Sequence, residues 1–312
     1  MATYPSPFTF VGVSNAAEVA SGNLTLVTTG VTIQTGDLVI ACIAARGNAA
    51  FAAPDASWSI VEQQTSGNTN TDPTTSIASG VMMVCESWPA SAPSLVFTRT
   101  AGDVARGVLM VYKGQKSSGA LNVHSSATAG SNSVTAATGT ITTTTEEELL
   151  VAMVAGSDAM TVSDFRAVTD PTSGSGATDT LDSGNEQVWT ERHDSFTVTG
   201  ADTSIAVADA TKTAASATGE LRATANVNSR HVMIVASFKS VYSAGSALQA
   251  SKLSRYDVMQ SNDAAISATK LSRYDVLMAV GTVSVTKFSR YDILQGVPDT
   301  GRPRRVQNVN YH

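Results

Sequence analysis

Glu191, Arg192, His193, Asp194 and Ser195 run consecutively as ERHDS. An acid, a histidine and a serine are the residue types of a nucleophilic triad, in which a carboxylate orients an imidazole that takes the serine proton. The spacing argues against one. Neighbours on a strand point to opposite faces, so the five cannot converge, and the stretch reads as a solvated strand edge. The other histidines, His124, His231 and His312, stand far apart, with no His-Glu-x-x-His or Cys-x-x-Cys spacing to hold a metal. SGSGA at 173–177 lacks the Gly-x-Ser-x-Gly order of a nucleophile elbow and a strand-to-helix setting. No phosphate-binding loop is written anywhere. The expectation is a protein that is not an enzyme, without catalytic residues, metal or cofactor; only carboxylates brought together by folding would change it.

Two other chemistries deserve weighing. Trp58, Trp88 and Trp189, if exposed and coplanar beside the polar loops, would stack on the sugar rings of a host glycan. Set in apolar or alternating strands, they would be core residues instead. Cys42 and Cys85 lie in the apolar runs LVIACIA and VMMVCES. They are either two buried thiols or a disulfide between adjacent strands.

The most specific pattern is a phrase written three times: SKLSRYDVM from Ser251, TKLSRYDVL from Thr269 and TKFSRYDIL from Thr286, 18 and then 17 residues apart. Tyr, Val and Ile favour a strand over a helix. In the second copy Leu271, Arg273, Asp275 and Leu277 would then share one face. Side-by-side copies would set Arg against Asp, each pair contributing about 0.2–1 kcal/mol. The candidate assembly residues are therefore Arg255, Tyr256 and Asp257, Arg273, Tyr274 and Asp275, and Arg290, Tyr291 and Asp292. Three such strands are marginal alone, so something must complete them. Three chains could wrap into a column, or each phrase could add a strand to a partner's sheet edge, with avidity from repetition. An ordinary β-meander is the plain alternative.

These residues need elements to hold them, and the rest of the chain reads as strands. Short segments rich in Val, Ile, Leu and Thr, such as WSIVEQQ, SLVFTRT and SRHVMIVASFKS, end in Gly, Pro, Asn, Asp or Ser. Leu38–Ala45, Val81–Val84 and Leu149–Ala155 are apolar on both faces and belong in the middle of a sandwich. Only 15% of the 312 residues are charged and 6% aromatic, which suits tightly packed strands and not disorder. We expect an all-β chain: a sandwich over 1–245 and a repeat-bearing β tail over 246–312. The tail carries nine Lys or Arg and five Asp or Glu, about +4, against 11 and 21, about −10, in the body. That weak basicity lacks the dense cluster of a nucleic-acid grip. No apolar run approaches the roughly 18 residues of a membrane helix, and MATYPSPFTF is not a secretory signal.

On TGVTIQTGDLVIACIAAR, ASWSIVEQQ, SLVFTRTAGDVARGVLMVYKG and TGELRATANVNSRHVMIVASFKS, the body resembles structural proteins of tailed-bacteriophage particles. The tail resembles the short [ST]-K-x-x-x-Y-x-[VI]-[LM] phrases near the ends of some virion proteins. The resemblance implies a jelly-roll-like sandwich and a place in the virion as a head, neck or tail decoration or fibre. The expected partners are other virion proteins and further copies of the chain. A three-phrase tail suits a threefold column and closed symmetric assemblies are the norm, so a homotrimer is expected. The SRYD core replaces more apolar residues of the commoner phrase and points to a different partner.

Overall fold

A computed structural model describes residues 8–67, 77–100, 104–168, 187–198 and 201–241 of the body. In the tail it describes residues 248–250, 258–261, 266–268, 276–279, 283–285, 293–296 and 304–305. The chain divides into two compact units, Met1–Val241 and Tyr242–His312, four residues short of the expected boundary. All regular structure among the described residues is β, as expected.

The body is not one sandwich but two, and they share a plan. The first unit comprises β1 (Thr9–Val13), β2 (Ala17–Val19), β3 (Leu24–Thr25), β4 (Leu38–Arg46), β5 (Phe51–Ala52), β6 (Ser59–Thr65), β7 (Ala78–Cys85), β8 (Val96–Arg99) and β9 (Ala105–Lys113). The second comprises β10 (Leu121–Thr128), β11 (Ser133–Thr138), β12 (Glu148–Gly156), β13 (Val162–Val168), β14 (Thr190–Thr197), β15 (Thr203–Lys212), β16 (Glu220–Ser229) and β17 (His231–Phe238). The large sheets run β1-β9-β4-β7-β6 and β10-β17-β12-β15-β14; the small ones run β3-β8-β5 and β11-β16-β13. With β2 set aside, as a continuation of β1 along β9, both units read first-eighth-third-sixth-fifth and second-seventh-fourth. This is jelly-roll order, except that the fifth strand has moved to the larger sheet.

The strand pairs place residues of the two units in correspondence. Leu38 and Leu149 face Tyr112 and Phe238. Val39 faces Cys85 where Leu150 faces Ala210. Even the irregularities repeat: β6 shifts register between Ile60 and Glu62, and β14 between Glu191 and His193, each just after a tryptophan, Trp58 and Trp189. A bulge recurring at one position in both copies is built into the plan.

The large sheets pack face to face, and each small sheet covers an outer face, giving four layers and three cores. Along β4, Leu38, Ile40, Cys42 and Ala44 enter the central core, while Val39, Ala41, Ile43 and Ala45 enter the first outer one. Along β12, Leu149, Val151, Met153 and Ala155 face the centre, and Leu150, Ala152 and Val154 the second outer core. Burial on both sides is why these strands are apolar throughout. Each fully buried Leu, Ile, Val or Met contributes about 1.5–3 kcal/mol. Gly80 lies at the contact between the large sheets, where an added Cβ would be 3.2 Å from both the Ala155 and Val232 side chains.

In the tail, β18 (Leu248–Ala250), β20 (Ile266–Ala268) and β22 (Val283–Val285) form one parallel sheet. A second contains β19 (Val258–Ser261), β21 (Val276–Ala279) and β23 (Ile293–Gly296), with β24 (Arg304–Arg305) antiparallel on β23. The register pairs equivalent positions of the repeats: Val258 with Val276 and Ile293, and Met259 with Leu277 and Leu294. These pairings replace the meander alternative, since a meander would be antiparallel.

Gly80→Val should overpack the central interface and lower unfolding free energy by about 1–3 kcal/mol. Urea denaturation of the purified chain, compared with the unaltered protein, measures it.

Candidate functional site

A buried polar cluster occupies one corner of the central core, where β1 and β9 of the first unit meet β14 and β15 of the second. Asp209 on β15 is 5% exposed. Its carboxylate accepts a 2.8 Å hydrogen bond from the Tyr112 hydroxyl and bonds at 2.9 and 3.0 Å from Arg192 Nε. Arg192 lies over the Phe10 ring, 4.1 Å from its centre, in cation–π geometry. It is the extra residue of the β14 bulge, which turns it toward the core. Its Nη groups have no hydrogen-bond partner among the described residues. Burial and the neighbouring carboxylate push the Tyr112 phenol well above its ordinary range, so it stays a donor. A cleft of about 220 Å³ opens here, lined by Phe8, Phe10, Tyr112, Leu149, Arg192, Asp209 and Thr211.

The bulge also decides what the rest of ERHDS does. Asp194 accepts the Val162 backbone N–H at 2.9 Å and lies away from any triad role. His193 Nε2 is 2.6 Å from Ser195 Oγ. That oxygen also accepts from Arg106 Nε at 2.8 Å, so Ser195 links the imidazole to the guanidinium. Arg106 also pairs with Glu18. The expected failure of Glu, His, Asp and Ser to converge thus holds, but two of them do meet across a half-buried edge. Burial, and then the Arg106 charge, lower the His193 pKa. At the opposite edge His124 pairs with Glu62 at 3.0 Å. His231 is buried, bonds Ser229 O through Nδ1, and is also lowered by burial. His312 lies outside the described residues. No group of His, Cys, Asp and Glu suited to a metal occurs among the described residues.

Trp58 and Trp88 are 3% and 6% exposed. Their rings meet edge-on at 86°, and Trp58 packs on Phe97 as well. Neither offers a face to a sugar. Trp189 is half-buried against the second outer core. The three therefore form no coplanar platform. Cys42 and Cys85 are free thiols. A bridge is prevented because Cys42 faces the central core and Cys85 the first outer core, on opposite sides of one sheet. Burial raises both thiols, Cys85 to about 11.

The nine candidate assembly residues, from Arg255 to Asp292, lie outside the described residues, as do the long loops 68–76 and 169–186. The described strands begin directly after each SRYD, at the eighth residue of every phrase.

No family model matches this chain, and no curated protein and no solved structure matches it either.

Two outcomes are expected here. A maleimide probe at neutral pH should label neither cysteine in the native protein and both in denaturant without reductant; a bridged pair would label in neither state. With His193 and His231 lowered below the ordinary 6.5, the unfolded chain binds protons first as pH falls. Stability should therefore decline from about pH 7 to about pH 5. His193→Gln should flatten that decline in thermal melts. Asp194 and Glu191, raised chiefly by burial, act in the opposite sense but only nearer the carboxylate range.

Proposed function

We propose that this protein is a non-catalytic structural component of a bacteriophage particle, attached at head, neck or tail, with the doubled sandwich as the displayed body and the repeat-bearing tail as the assembly element. The observation that carries the assembly reading is the like-on-like parallel register of the three repeats. Parallel in-register stacking places the same residue type at the same height in successive rungs. The phrase precedes each of these strands at the same offset in sequence, so one contact would be offered three times.

Repetition of a weak contact is useful for holding a neighbour. Linked sites raise apparent affinity by about 10²–10⁴ over a single site. The repeated Arg and Asp would have their charges met by other virion proteins or by other copies of this chain. A homotrimer is the stoichiometry we propose. Display of a receptor- or glycan-binding surface is the second reading, and the polar cleft, not the tryptophans, favours it.

Leu277→Pro, in the central strand β21, removes a ladder donor between β19 and β23 and should abolish assembly. The triple change Arg255→Ala, Arg273→Ala and Arg290→Ala should reduce incorporation into particles at least about tenfold if each copy makes its contact. Analytical ultracentrifugation gives the oligomer, and quantitation in purified particles gives incorporation. Unchanged incorporation of the triple variant would remove the SRYD phrases from assembly.

A further inference from the structure

The second copy of the fold is an internal control for the polar corner. Strand correspondence maps Asp209 onto Val84, Tyr112 onto Phe238, Arg192 onto Val61 and Phe10 onto Leu121. These four counterparts are apolar and belong to the central core or pack against it, while Glu86, at the place of Thr211, accepts the backbone N–H groups of Gly119 and Leu121. The same plan has Val84, Phe238 and Val61 in one copy where the other has an acid, a phenol and a guanidinium. Architecture alone does not require those groups, because the other copy does without them. Replacing a buried ionic cluster by apolar residues of similar volume is often neutral or stabilising. Three concerted polar residues beside a cleft therefore call for a ligand.

The lining indicates its chemistry. Asp209 offsets the Arg192 charge, so the corner has no net charge to attract an ion. Arg192 retains Nη donors for an acceptor oxygen, and Thr211 is a further polar group in the wall. Phe8 and Leu149 supply apolar wall. At about 220 Å³ the cleft admits one small ring, being smaller than the roughly 300–1,000 Å³ of drug-sized sites. We propose that this corner is a binding subsite for a single neutral, hydroxyl-bearing ring, a pyranose, held by Arg192 donors to its oxygens with its apolar face against Phe8 and Leu149. The site belongs to the body, so its failure and that of tail-driven assembly are separable.

The test titrates the full chain by protein-observed NMR with methyl glycosides of glucose, galactose, mannose and N-acetylglucosamine. N-acetylneuraminic acid and gluconate serve as charged controls. One neutral pyranose should bind with millimolar Kd, and the acids at least about tenfold more weakly. Oligosaccharides ending in the same sugar identify the source: tighter binding marks a surface glycan, and equal affinity a free sugar, both supporting the subsite. The variant Tyr112→Phe, Arg192→Val, Asp209→Val copies the apolar counterparts. It should melt no lower than the unaltered protein and lose binding. Thr211→Val, which leaves the ion pair in place, should weaken binding. The subsite is overturned if no neutral pyranose binds, or if binding survives the triple change. A fall in its Tm of more than about 5 °C overturns it too, because the polar groups would then be structural.

Discussion

The two large sheets of the body bury both of their faces, and that constraint shapes almost everything else. A strand with a core on each side has no place for a polar side chain on either face, which is why Leu38–Ala45 and Leu149–Ala155 carry none. The outer faces require cover, so each unit folds three strands back over its large sheet. The inner faces require each other. Neither unit could leave its central face exposed, since a contiguous apolar patch of that kind invites association. Face-to-face packing inside one chain answers the demand that a homodimer would answer with two, and Gly80 allows the backbones close enough for it.

Departures from the shared plan are informative because the plan is used twice. The bulge after each tryptophan turns one residue inward in both units: Val61 in the first and Arg192 in the second. Valine simply joins the central core. Arginine brings a charge that must be met, and Asp209 with Tyr112 meets it. Removing one member would strand its partner; for a buried pair that costs about 3–5 kcal/mol, less here because the Arg192 side chain is 27% exposed. The polar groups thus form one unit, consistent with their standing together in one corner and being absent from the other.

The tail follows a different logic. In the body, antiparallel neighbours pair different residues, so each strand is matched to its own partner. In the tail, parallel register pairs each repeat with itself. A sequence that only has to match itself can be repeated without redesign, and this gives a physical reason for the near-copies.

Much of this was legible in the sequence. Period-two alternation, Gly and Asn punctuation and fully apolar runs announced strands and named the doubly buried ones, because side-chain direction on a strand depends only on position along it. The isolated histidines and the tail's change of composition were equally local. The doubling of the sandwich was not legible. The halves share the placement of strands and of Trp-Ser and Trp-Thr before each bulge, but hardly any side-chain identity, since a core accepts many apolar residues of similar volume. Nor could the sequence show that Cys42 and Cys85 face opposite cores, that Trp58 packs edge-on to Trp88, or that a bulge overturns strict alternation within ERHDS. Those facts depend on which strands become neighbours and in what register. The polar corner is the extreme case: Phe10, Tyr112, Arg192 and Asp209 lie in four separate strands. Each taken alone reads as an ordinary strand residue, and only the packing of one sheet on the other brings them together.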